Sequence, residues 1–349
     1  PKSLAGLLAE PDTPAHYRIE SVAPLAGRLI VSAQYKAGKT TLIGNLLRSL
    51  ADSDPFLGAF TVNTPARRVV LIDNEMSDNT LRRWLRDQAI TNTAAVTDVL
   101  ALRGKVAAFN PLDDRCRGQW ARRLSDLGCD YLILDCLRAC LDALGLDESR
   151  EAGQFLTAYD RLLDEAGVAD TAIVHHMGHA NERARGDSRL QDWPDAIWRL
   201  VRETDEPDSP RYFSAYGRDV DVHEGRLSFD PATRRLAYAA GSRSDAKTEA
   251  AKLAVVQALA EADKPLSKNA IEAALADEHT QRAIRTGIAK TVRDGLITVT
   301  EGPRRAKLHS IAFPCSECGM PVASHSARHQ SCQSAHRQTC PSETQGPFQ

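Results

Sequence analysis

Ser32-Ala33-Gln34-Tyr35-Lys36-Ala37-Gly38-Lys39-Thr40-Thr41 is the stretch of this sequence that concentrates the most chemistry in the fewest residues. It follows the apolar run Arg28–Ala33 and opens a segment in which Leu42, Ile43, Leu46, Leu47 and Leu50 share one helical face. Strand, loop and helix in that order are what a phosphate-binding loop needs. Gly38 lets the backbone approach the phosphates, amides at the helix start donate to them, Lys39 neutralises β- and γ-phosphate charge, and Thr40 offers a hydroxyl to Mg²⁺. The expected nucleotide contacts are therefore Ala33, Gln34, Tyr35, Lys36, Ala37, Gly38, Lys39, Thr40 and Thr41. The pattern G-x-x-x-x-G-K-[ST] has Ala33 in place of its first glycine, so that position must take a dihedral open to alanine.

Cleaving a triphosphate also needs an acidic partner for Mg²⁺ and a carboxylate to orient water. Two apolar runs end in acid: Val69-Val70-Leu71-Ile72-Asp73-Asn74-Glu75 and Tyr131-Leu132-Ile133-Leu134-Asp135. A third, Thr171-Ala172-Ile173-Val174, ends in His175-His176. Adjacent residues on a strand point to opposite faces, so one of the two histidines can face a nucleotide.

With these residues in place, the stretch 21–240 resembles the RecA-like ATPases, in particular the hexameric branch that includes RepA-type plasmid replicative helicases and similar phage ATPases. The resemblance implies Glu75 as catalytic base, Asp135 as the Walker B aspartate holding Mg²⁺ through water, and His175 and His176 as a sensor of the γ-phosphate. Asp73 is the alternative metal partner, since its preceding residues are equally apolar. The segment 177–191, which carries Arg183, Arg185 and Arg189 among Gly, Asn and Ser, is similar to the mobile loop that such ATPases present to nucleic acid. Arg218, in Ala215-Tyr216-Gly217-Arg218, resembles the arginine that reaches a neighbour's γ-phosphate. The family usually has lysine where Tyr216 stands, and Arg185 is the alternative finger.

The elements that must position these groups follow from periodicity. Runs at 28–33, 68–73, 131–135, 171–176 and 196–201 alternate with amphipathic stretches, the pattern of a parallel sheet flanked by helices. The stretches 211–217, 225–229 and 234–238, with Asp230-Pro231 as a turn signal, are expected as antiparallel strands extending that sheet. The fold class is α/β, with a RecA-like P-loop core implied by the resemblance.

Gly241-Ser242-Arg243-Ser244-Asp245 is small and polar and is expected as a linker. Beyond it, 250–261, 266–276 and 279–294 give helix patterns, and 296–300 and 307–313 a hairpin, which together predict a winged helix. Residues 246–313 carry a local charge of +3 against −5 for residues 1–245. Arg282, Arg285, Lys290 and Arg293 recur along the second long helix, and Arg304 and Arg305 stand in the hairpin, placements suited to DNA phosphates. The tail has Cys315 and Cys318, then His329 and Cys332, in a C-x2-C-x10-H-x2-C spacing with few apolar residues. Zn²⁺ held by these four side chains would supply its folding energy; His336 or Cys340 can replace one of them. Cys116, Cys129, Cys136 and Cys140 fall in apolar segments and are expected to pack as inert thiols.

The expected divisions are an N-terminal segment 1–20, an ATPase domain 21–241, a linker 242–249, a winged-helix domain 250–313 and a zinc tail 314–349. The 349 residues have a formal charge of −2, which excludes a globally basic nucleic-acid coat protein. No run approaches the roughly 18 apolar residues of a membrane span, so no membrane partner and a cytoplasmic location are expected. The combined expectation is an ATP- and Mg²⁺-dependent motor on DNA: a homo-oligomer, as a hexameric ring, acting as a helicase or helicase-like protein in the replication of a plasmid, phage or prophage. Two alternatives are a nucleotide-dependent DNA-binding regulator without unwinding and a recombination or repair ATPase forming filaments.

Overall fold

Ile30, Val31, Leu132, Ile133, Ile173 and Val174 are all fully buried, because each lies on a strand covered on both faces. The computed structural model describes residues 2–10, 16–177, 188–206, 208–314 and 321–322. Two units separate, Pro1–Ser242 and Arg243–Gln349.

The first unit opens with a short helix α1 (Leu4–Leu8) and a ribbon of β1 (Tyr17–Ile19) and β2 (Ala23–Pro24). The chain then runs β3 (Arg28–Ala33), α2 (Lys39–Asp52), β4 (Val69–Asp73), α3 (Asp78–Asp87), β5 (Val96–Ala101), α4 (Asp114–Asp126) and β6 (Tyr131–Asp135). It continues with α5 (Leu137–Ala143), α6 (Ala152–Ala166), β7 (Asp170–His176), α7 (Arg189–Asp192), β8 (Ala196–Arg202), β9 (Arg211–Gly217), β10 (Asp221–Asp230) and β11 (Arg235–Ala239). Nine of these strands form one sheet in the order β11-β10-β9-β8-β3-β7-β6-β4-β5. From β8 to β5 the neighbours are parallel; β9, β10 and β11 extend the sheet antiparallel.

Alternation along the strands feeds two cores. Leu29, Val31, Leu71 and Ile133 join one with α2 and α3, through Leu42, Leu46 and Leu81. Ile30, Ile72 and Leu132 join the other with α4, α5 and α6, through Leu124, Leu141 and Phe155. The expected strands are present, and β5 is added at the sheet edge. The unit also starts earlier than residue 21: Ile19 on β1 is fully buried in the first core.

The second unit contains α8 (Arg243–Glu261), β12 (Leu266–Ser267), α9 (Lys268–Ala274), α10 (Gln281–Arg293), β13 (Ile297–Glu301) and β14 (Lys307–Ile311), with β15 (Phe313–Pro314) paired to β16 (Pro321–Val322). The strands form a sheet β12-β14-β13. Val255, Leu259, Ile271, Ile284, Ile288 and Ile297 make its core, and Ser267 and Thr280 cap α9 and α10 through their hydroxyls. The linker expected at 242–249 is corrected here: helix starts at Arg243, and Thr248 already packs inside it. A polar first turn carries no burial signal, because α8 exposes that turn.

Candidate functional site

β3, β7, β6 and β4 end side by side, so that Ala33 pairs with His176 in register and Asp73 with Asp135. Ligands of open parallel sheets bind at this carboxyl edge. Ala33 closes β3, paired also to Leu200, and its strand geometry needs no glycine. Gly38, by contrast, has φ 105°, a region that side chains with a Cβ rarely adopt, and it stands immediately before α2 as its N-cap. The loop between them is tied down: Gln34 N–H donates to Leu200 O at 3.1 Å, and Arg211 Nε donates to Ala37 O at 3.0 Å.

Above the loop lies a cavity of about 510 Å³, lined by residues 35–41, Glu75 and His176 on one side and by Trp84, Phe229, Arg234 and Leu236 on the other. That volume falls in the range of small-molecule sites. Lys39 is 7% exposed, and its Nζ lies 2.9 Å from His176 Nδ1. An ammonium can only donate, so Nδ1 accepts and Nε2 carries the proton shared with Glu75 Oε1 at 3.2 Å. Burial pushes the Lys39 ammonium below its usual value, with Glu75 and Asp135 partly offsetting that effect. Glu75 is held down to about 2, chiefly by His176, although burial opposes the shift; the Cys136 thiol and Lys39 also favour the carboxylate.

The two strand-ending aspartates differ. Asp73 Oδ1 accepts the backbone N–H of Glu75 at 3.0 Å and of Met76 at 2.7 Å, fixing the turn that carries Glu75. Asp135 is 1% exposed, and neither of its carboxylate oxygens has a hydrogen-bond partner. Burial first, then the nearby Asp73 and Glu75, push its carboxyl well above the usual range. A buried acid without a partner calls for a cation or a water to satisfy it. A hard cation with oxygen ligands suits this environment, since Thr40, which lines the cavity, also lines a smaller neighbouring pocket together with Asp73 and Asp135.

Cys136, expected as an inert packing thiol, is buried but not inert in its contacts. Its Sγ lies 3.3 Å from Glu75 Oε1 and 3.7 Å from His176 Nε2. The cavity wall opposite the loop was not foreseen from sequence. Arg234, at the β10–β11 turn, places its guanidinium 3.7 Å from the Trp84 ring centroid and donates to Thr41 Oγ1 at 3.1 Å.

Other expected residues lie elsewhere. His175 is fully buried, with Nδ1 3.6 Å from Glu148 Oε1, so of the two histidines His176 is the one at the cavity. Arg218 follows β9 at the far end of the sheet, where its Nη1 lies 3.5 Å from Asp195 Oδ1 with the side chain 75% exposed. Six residues of β9 separate it from Arg211 at the loop, about 23 Å along the strand. Arg218 therefore cannot serve its own chain's cavity. Arg189 begins α7 and is exposed. Arg183, Arg185, Cys315, Cys318, His329, Cys332, His336 and Cys340 lie outside the described residues. In the second unit Arg282, Arg293, Arg304 and Arg305 are exposed and Lys290 is half-buried. Arg285 is engaged internally: its Nε lies 2.7 Å from Glu272 Oε1 and its Nη2 3.2 Å from Oε2, so it is not a free phosphate contact.

A family model described as an AAA domain matches residues 1–182. No curated protein matches the chain. Among solved structures, a KaiC-like protein of the hyperthermophilic archaeon Pyrococcus horikoshii OT3 is similar at 15% identity, covering 65% of this chain and 100% of that one, with a TM-score of 0.48.

Proposed function

The chain belongs to the AAA-domain family and is a RecA-like P-loop ATPase, and from that premise we propose that it is a DNA-dependent motor of the RepA-type hexameric helicase kind. The reading is carried by one observation: Lys39, His176 and Glu75 form a contact chain over the phosphate loop, beside the unpartnered Asp135.

In this reading the α2 amides and Lys39 grip the β- and γ-phosphates. Thr40 and Asp135 would hold Mg²⁺, which would neutralise charge developing on the phosphoryl oxygens. Asp73 holds the turn after β4 so that the Glu75 carboxylate stays aimed into the cavity. Glu75, ionised far below neutral pH, orients and polarises water rather than acting as a strong base. His176 touches both Glu75 and Lys39, so loss of the γ-phosphate, which releases Lys39, is felt at the water-positioning carboxylate. An arginine from a neighbouring subunit, Arg218 or Arg185, completes the site, and the exposure of Arg218 at the far end of the sheet suits a role in trans.

The second unit is a winged helix whose α10 and β13–β14 hairpin meet DNA through Arg282, Arg293, Arg304 and Arg305. Its local excess of basic residues and their exposure support this. Arg189 and its neighbours in 177–191 supply a further DNA contact, and the Cys/His tail holds Zn²⁺. Among the described residues no helix is long and apolar enough to cross a membrane. The test is ATP turnover by the full chain with Mg²⁺, with and without DNA, together with strand separation on a forked duplex. The motor reading expects DNA-stimulated turnover and unwinding. Turnover unchanged by single- and double-stranded DNA would overturn it, and stimulation without unwinding would make the protein a nucleotide-dependent DNA-binding regulator.

A further inference from the structure

The Glu75 carboxylate, the Cys136 thiol and the His176 imidazole meet at one point. Their ligand atoms all lie within 4.8 Å of one another. The separations are specific: Sγ to Oε1 3.3 Å, Oε1 to Nε2 3.2 Å and Sγ to Nε2 3.7 Å. Zinc bonds of about 2.3 Å to sulfur, 2.0–2.1 Å to nitrogen and 2.0–2.2 Å to oxygen at tetrahedral angles place S and O about 3.6 Å apart, O and N about 3.4 Å, and S and N about 3.6 Å. The three side chains thus already stand as three vertices of a zinc tetrahedron. They come from the turn after β4, the residue after β6 and the last residue of β7, so the sheet itself holds the spacing.

We propose that Glu75, Cys136 and His176 form a binding site for a borderline-soft divalent ion, Zn²⁺, in the wall of the nucleotide cavity, and that its occupation switches hydrolysis off. Mg²⁺ does not compete for it, because a thiolate and an imidazole are poor ligands for a hard cation. Occupation breaks the Cys136 S–H bond, forms a Zn–S bond and releases the proton to solvent; nothing is oxidised or reduced. Coordination by His176 Nε2 moves that ring's proton to Nδ1, so Lys39 gives up its contact there. The fourth position is left for water. Glu75 Oε1, bound to the ion, no longer orients water for attack. The inhibition rests on the ATPase reading above, whereas the metal site does not.

The experiment uses the full-length, nucleotide-free protein titrated with Co²⁺, which reports thiolate ligation by charge-transfer absorption. The Cys/His tail contributes equally to the wild type and the variants, so the difference is the readout. The site requires Cys136→Ser to bind one equivalent fewer and to lose part of the charge-transfer band. His176→Gln, which retains a hydrogen-bonding side chain, must do the same if Cys136→Ser lowers the unfolding midpoint. Hydrolysis by the wild type, with Mg²⁺ present, is expected to fall by about a hundredfold at saturating Zn²⁺, the scale of losing the carboxylate that positions the attacking water, and to recover with a zinc-selective chelator. Cys136→Ser is expected to keep most of its own zinc-free rate. Equal cobalt stoichiometry and spectra in all three proteins would overturn the site; bound zinc that leaves turnover unchanged would overturn the switch. A cobalt difference in a protein that hydrolyses no nucleotide would uphold the site and refute the ATPase reading.

Discussion

Glu75 and His176 meet at 3.2 Å across the ends of two strands, β4 and β7, that are not neighbours in the sheet. β6 lies between them, and the residue after it, Cys136, fills the gap. The contact links the residue proposed to orient water to the one that lies beside Lys39, so single substitutions around it should have separable effects.

Lys39→Ala removes the ammonium proposed to grip the phosphates and also the donor to His176 Nδ1. Turnover is expected to fall by about 10²–10³, the scale of losing one electrostatic stabiliser of the transition state. The fold should remain, because Lys39 lies at the first position of α2 and its loss opens no cavity in either core. Phosphate release and far-ultraviolet circular dichroism check the two halves of the expectation.

Asp135→Asn should separate stability from activity. The wild-type carboxyl is buried, has no hydrogen-bond partner and is pushed well above its usual range by burial and by two nearby acids. Removing the charge in the nucleotide-free protein should stabilise it by about 1 kcal/mol, or about 2–4 °C in Tm for a unit of this size. Mg²⁺-dependent turnover should nearly vanish. A lower Tm in the variant would mean that the acid is satisfied in the free protein.

The pH dependence of stability tests the pairing of Glu75. Its carboxyl lies near 2 in the fold, against an ordinary value of 4.5. The folded state therefore favours the ionised form, and the contribution is fully present above pH 4.5 and lost as the pH falls towards 2. The gap in urea midpoint between the wild type and Glu75→Gln should shrink across that window. A gap that stays constant through it would show that the carboxylate makes no such pairing.

In the second unit, Arg282→Ala with Arg293→Ala should weaken DNA binding at low salt and reduce the slope of log K against log salt by roughly two, one for each phosphate contact. Arg285→Ala should leave that slope unchanged, since its guanidinium is held by Glu272. It should instead lower the unit's stability only slightly, as for an exposed ion pair. Fluorescence anisotropy over a salt series distinguishes these outcomes.

Much of this arrangement could be read from the chain because its signals are local. β3 and β6 are uninterrupted apolar runs, the phosphate loop is contiguous, and strand alternation already required that only one of His175 and His176 face the cavity. Which one does so is set by the register of β7, which pairs His176 with Ala33 and leaves His175 buried near Glu148, between α5 and α6. β5 escaped notice because Val96-Thr97-Asp98-Val99-Leu100-Ala101 is an edge strand with half-buried positions, lacking both a continuous apolar run and a clean alternation. Cys136 was underrated because its partners come from 61 and 40 residues away, and Arg234 because it reaches Thr41 across 193 residues. Composition and periodicity are blind to contacts of that range.

The hairpin formed by β10 and β11 bears on where this protein can be cut. Phe229, Arg234 and Leu236 all belong to it and all line the cavity, while His176, which contacts the phosphate loop's Lys39, lies upstream on β7. A fragment ending after β9 would retain the grip on phosphate and lose one side of the cleft to bulk water, together with the backbone oxygen of Arg234 that receives Asn45 Nδ2. The smallest competent piece of the first unit therefore extends to Ala239, and insertions at that turn would tune nucleotide retention without touching a single acid or histidine.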